Sequence, residues 1–188
     1  MFVGACDPSL GGDPLRGDYS AIVILYQPRN TRNKYVIAAD LARRRPDDIV
    51  ERILWYAKTY RLASFAVEAN QFQQLLIDNL ERRADEKKVR INIKPVNNRS
   101  AKEQRISALE PEVSQGHLLF SRRHELLLDQ LRTFPVGTHD DGPDALEMAV
   151  EACDYPAGFN VVDTFDGRRV YDSRYPEATE AELARRPS

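Results

Sequence analysis

The run Phe2-Val3-Gly4-Ala5-Cys6 is apolar at every position and is closed by Asp7-Pro8. Proline cannot donate to a ladder and the run shows no polar alternation, so it reads as a buried strand that stops at Asp7. A buried strand needs layers on both sides of its sheet, and the rest of the chain supplies candidates for them. Turn chemistry follows at Gly11-Gly12-Asp13-Pro14 and Gly17. Ser20 to Tyr26 and Lys34 to Asp40 are strand-like runs on either side of a polar turn from Pro28 to Asn33, so the first three strands are expected to form an antiparallel meander. Between Asp47 and Arg61 the period changes. Ile49, Ile53, Leu54 and Ala57 fall on one helical face, with Asp47 or Asp48 near the positive end of the macrodipole.

Ala63 to Val67 is the next strand, ending at Glu68, and Asn70 with Gln73 has capping-box spacing for a second helix. Val89 to Ile93 reads as a strand before Pro95. Ser100 with Glu103 repeats the capping-box spacing at the head of a helix that Pro111 ends or kinks. His117 to Phe120 is expected as a short edge strand. Leu126, Leu127, Leu131 and Phe134 mark another amphipathic helix, and a final one starts at Pro143 and runs to about Cys153. From Pro156 the signal fades, and residues 163–188 mix charges with Gly, Pro and Ser. The expected organisation is an α/β domain over 1–155, its central mixed sheet of five or more strands flanked by helices, with 156–188 a polar extension, partly irregular or disordered.

Composition removes several function classes. No apolar run approaches the roughly 18 to 20 residues that span a bilayer, and no basic-then-apolar leader precedes the first strand, so neither membrane nor export is expected. Cys6 and Cys153 match no metal or redox spacing and suit a reducing cytosol as small buried residues. The 27 Lys and Arg against 29 Asp and Glu give a net charge of −2, which argues against a uniformly basic nucleic-acid binder. Charge is nevertheless uneven: from Arg82 to Arg105 there are nine basic residues against three acidic ones. Arg99, Lys102 and Arg105 recur every third residue, so the latter two share a helical face suited to phosphate contacts; a solvated helix face is the alternative.

Acidic residues stand at three element ends. Asp7 and Glu68 close strands, and Asp140-Asp141 with Asp144 open the last helix. Asp141 and Asp144, three apart, share a face. Carboxylates gathered at one sheet edge repel; they either raise their pKa values or recruit a hard divalent cation, and oxygen ligands select magnesium or manganese over zinc. His139 adjoins the acidic pair as a surface histidine or an additional ligand, and Trp55, Tyr56 and Tyr60 read as core or boundary packing.

Three stretches carry a resemblance: Asp7-Pro8-Ser9 with Gly12 and Asp18-Tyr19-Ser20-Ala21; Val67-Glu68-Ala69-Asn70-Gln71-Phe72; and His139-Asp140-Asp141-Gly142-Pro143-Asp144-Ala145-Leu146. In order and spacing they resemble the acidic motifs of the nuclease domain of phage terminase large subunits, over roughly residues 1–155. The resemblance implies a ribonuclease H-like fold shared with junction resolvases and integrases. It implies Asp7, Glu68 and Asp144 as a catalytic, metal-binding triad, with Asp141 a fourth ligand or close supporter, and Mg2+ or Mn2+, two ions, as cofactor. It further implies cleavage of double-stranded DNA alongside a terminase ATPase domain, a small subunit and a portal protein in the bacterial host cytoplasm. A Gly-x-x-x-x-Gly-Lys-Ser/Thr loop is absent, so cleavage is expected of this chain and ATP hydrolysis is not. The alternatives are a structure-selective Holliday-junction resolvase of the same fold and a catalytically weak docking module of the packaging motor.

Overall fold

The computed structural model describes residues 1–8, 19–29, 31–68, 73–96, 100–154, 162–163 and 169–170. Met1–Asp154 and Tyr155–Ser188 are separate units. In the first, strands β1 (Phe2–Asp7), β2 (Ser20–Tyr26) and β3 (Lys34–Ala42) lead to helix α1 (Pro46–Tyr60). Strand β4 (Ser64–Glu68), helix α2 (Gln73–Lys87) and strand β5 (Ile93–Val96) follow, then α3 (Lys102–Ser107), α4 (Glu110–Ser114), β6 (Leu118–Leu119), α5 (Glu125–Thr133) and α6 (Asp141–Asp154). In the second unit, β7 (Val162–Asp163) pairs antiparallel with β8 (Arg169–Val170). The reading of 163–188 as loose otherwise falls outside the described residues.

The six strands of the first unit lie in the order β5-β4-β1-β2-β3-β6. The expected meander is present: β1 with β2 and β2 with β3 are antiparallel, whereas β4, β5 and β6 each join in parallel. The period of two sorts the apolar residues into two layers. Val3 and Ala5 of β1, Ala21, Val23 and Leu25 of β2 and Ala66 of β4 pack with Leu146, Met148, Ala149 and Cys153 of α6. Cys6, Ile22, Ile24, Phe65 and Val67 face the opposite way, onto Ile49, Ile53 and Tyr56 of α1 and Ile77 and Leu80 of α2. Gly4 belongs to this second set, and a Cβ there would stand 2.7 Å from both Ile24 and Phe65.

Local boundaries differ from expectation in three places. The strand expected at Val89 to Ile93 instead runs from Ile93 through Pro95 to Val96, because among the described residues β5 pairs with β4 alone and its outer edge needs no proline donor. The Ser100–Glu103 capping box does not form: α3 has Ala101 as its N-cap, with no side-chain cap bond. Pro111 neither ends nor kinks a helix but sits in the first turn of α4, where its missing N–H is harmless. Asn70, proposed as a cap, lies outside the described residues, as do Ser9, Gly12 and Asp18. Trp55 is half exposed, with the Arg52 guanidinium 4.8 Å from its ring centroid, while Tyr56 beside it is buried.

Candidate metal centre

The same parity that builds the core positions the first two carboxylates. Asp7 follows Val3 and Ala5 on the α6 side of β1, and Glu68 follows Ala66 on the α6 side of β4. The two strands are parallel neighbours paired at Cys6 and Val67, so Asp7 and Glu68 come next on both. The first turn of α6 brings Asp144 over this edge. Asp7, Glu68 and Asp144 each present an oxygen, and these three atoms lie within 4.8 Å of one another. Three oxygen donors from three elements, two of them on a rigid sheet, suit a hard divalent cation.

Burial decides the electrostatics. Asp144 is 2% exposed and Asp7 9%. Burial, joined by the charges of Asp144, Glu68 and Asp141, pushes the Asp7 carboxyl up to about 8 against the opposing pull of Lys102. Such a group is stabilised as carboxylate by added positive charge, which a bound ion supplies. The α6 start is itself braced: Gly142 N–H donates to Oε1 of the buried Gln130 on α5 at 2.8 Å. A Cβ at residue 142 would come within 2.7 Å of that same oxygen and of Leu41.

Asp141, the first residue of α6, adds its charge to the field on Asp7, and its Oδ2 lies 4.0 Å from His139 Nδ1. It is outside the set of three mutually close ligand atoms. Of the basic residues expected to face DNA, Arg99 lies outside the described residues. Lys102 and Arg105 both point at the carboxylates. The Lys102 ammonium is 2.8 Å from Asp140, 3.2 Å from Asp144 Oδ2 and 3.8 Å from Asp7. Arg105 donates to Asp144 Oδ1 at 2.8 Å and also to Glu147. Burial opposes the Lys102 charge, but the surrounding carboxylates outweigh it and hold the ammonium protonated.

Two participants were missed from the sequence. Asp140, which the shared face of Asp141 and Asp144 leaves out, shares Lys102 with Asp144. Glu147 was not singled out; its signal is the matched spacing of Lys102 and Arg105 with Asp144 and Glu147, each pair three residues apart on its helix. Beside the site, the Arg43 guanidinium lies 4.4 Å over the Tyr19 ring, which meets His139 edge-on at 5.1 Å.

A meander followed by parallel strands, with carboxylates at the end of the central strand and on a covering helix, defines a ribonuclease H-like domain with an acidic centre. The family model described as the terminase RNaseH-like domain matches residues 4–152, and the chain belongs to that family. No curated protein sequence matches it significantly. Among solved structures it is similar to the Mn-soaked, inhibitor-bound human cytomegalovirus terminase nuclease domain, at 15% identity and TM-score 0.61 over 81% of this chain and 82% of that one. It is also similar to the large terminase nuclease domain of Thermus phage P74-26, at 19% identity and TM-score 0.57 over 90% and 84%. The large terminase nuclease of thermophilic phage G20c with bound magnesium aligns at 20% identity and TM-score 0.57 over 80% of each chain. Among the described residues no helix is long and apolar enough to cross a membrane.

Proposed function

We propose that the chain is a divalent-metal-dependent endodeoxyribonuclease, the cleaving part of a viral terminase large subunit that hydrolyses phosphodiester bonds of concatemeric double-stranded DNA. The meeting of Asp7, Glu68 and Asp144 within 4.8 Å, in a chain of the terminase family, is the observation that carries this reading. Asp7, Glu68 and Asp144 would hold the metal, and Asp141 would support them with its charge. When bound, Mg2+ or Mn2+, two ions in this reading, supplies Lewis-acid activation of the attacking water and stabilises charge on the leaving oxygen. Arg105 fixes the orientation of Asp144 by holding one of its oxygens, while the more exposed Lys102, at the edge of the carboxylates, supplies positive charge toward an arriving phosphate. The working context in this reading is the packaging motor in the bacterial host cytoplasm, alongside an ATPase domain, a small subunit and a portal protein.

The test is plasmid nicking in Mg2+ or Mn2+ by wild type, Asp7→Asn and Asp144→Asn. Wild type is expected to nick and linearise duplex DNA, and each variant to lose at least about 100-fold in rate. Full activity in either variant overturns the assignment, and a strong preference for four-way junctions redirects it to a resolvase.

A further inference from the structure

Lys102 is one of two cations that the carboxylates already hold. Its ammonium contacts Asp7 and Asp144, two of the three proposed ligands, at 3.8 and 3.2 Å. It also contacts Asp140, which is outside the three-oxygen set, at the shorter distance of 2.8 Å. Lys102 is 39% exposed, on a flexible four-carbon stem at the start of α3, so it is free to swing. Arg105 is different: it is 12% exposed and clamped between Asp144 and Glu147. The two cations divide Asp144 between them, Arg105 on Oδ1 and Lys102 on Oδ2. A divalent ion drawing on Oδ2 and on Asp7 would occupy the space beside the ammonium, and like charges at such separations repel strongly where water is scarce.

We propose that Lys102 is a resident counter-cation of this centre, shared by Asp140, Asp144 and Asp7 in the metal-free protein and left with Asp140 alone when a divalent ion binds. Metal affinity is then set by competition with Lys102, and Asp140 is the carboxylate that keeps the displaced ammonium. The inference rests on the metal-binding reading above and deepens it. It gives Lys102 two positions: one neutralises the empty centre, and the other, still at its edge, leaves the ammonium where a DNA phosphate arrives.

Calorimetric titration with Mn2+ alone tests this on wild type, Lys102→Met, Lys102→Arg, Asp140→Asn and the Lys102→Met/Asp140→Asn pair. Lys102→Met is expected to bind Mn2+ about fivefold more tightly and Lys102→Arg to return close to wild type. Asp140→Asn is expected to bind about threefold more weakly, an effect that largely disappears once residue 102 is Met. Wild-type binding with unchanged or weaker affinity in Lys102→Met overturns the competition and leaves the metal site standing. No Mn2+ binding by any of the proteins overturns both. A second measurement needs no variant: amine acylation of wild-type Lys102, read by mass spectrometry against exposed Lys58 on the opposite layer, should rise about twofold or more at saturating Mg2+. An unchanged or slower rate overturns the displacement.

Discussion

Asp7 sits where a strand must end and where ionisation is opposed from several directions. Its carboxyl stays protonated in the folded, metal-free chain up to about pH 8, whereas in the unfolded chain it ionises near 3.8. Across that window the native state binds the extra proton, so metal-free stability is expected to fall as pH rises from about 4 to about 8. Urea unfolding at stepped pH checks the sign, and Asp7→Asn should flatten the slope. Asp40 works the other way. Burial pushes its carboxyl up, but hydrogen bonds from Arg44 and Arg52 outweigh this and hold it below the usual range, so its contribution is lost only below about pH 4. The sequence made Asp7, Glu68 and Asp144 visible because each interrupts an apolar period at an element end. It could not show which way Lys102 and Arg105 turn. Local charge counts give a sign, whereas direction depends on which helix packs opposite, and that is a property of the assembled layers.

At the scale of elements, strand and helix order was readable because the period changes from two to about 3.6 wherever a layer changes. Boundaries were less so. Proline was read as a terminator at both Pro95 and Pro111, yet an outer edge tolerates one and a helix start the other. Such tolerance depends on neighbours that no local window contains. Gly4 is a clearer case of packing dictating sequence, since Ile24 and Phe65 occupy the space a methyl group would need. Gly4→Ala is expected to destabilise the domain by about 1 to 3 kcal/mol, seen as a lower urea midpoint with an unchanged slope. Gly142 plays the corresponding part at the other layer, where it lets Gln130 reach the backbone at the start of α6.

Considered as a whole, the first unit is a sheet with one layer that carries the carboxylate cluster and one supporting layer. Helix α6 belongs to both the core and the centre: Leu146, Met148 and Ala149 are buried against the sheet, and Asp144, one turn earlier, closes the carboxylate cluster. Filling the proposed centre should therefore stabilise the global fold. At Mn2+ concentrations about 100 times the dissociation constant, the expected gain is about 2.7 kcal/mol, or roughly 5 to 10 °C in the melting temperature. Thermal scans with and without Mn2+ check it, and Asp7→Asn should lose most of the shift.

The two layers also carry one thiol each. Cys6 is buried among the residues facing α1 and α2, and Cys153 is buried at the far end of α6, on the other side of the sheet. They are the chain's only cysteines, so the molecule holds two native, chemically identical probes separated by its own sheet. Pulsed alkylation read by peptide mass would time the opening of each layer independently. It would show whether the face bearing the carboxylates breathes before the face that supports it.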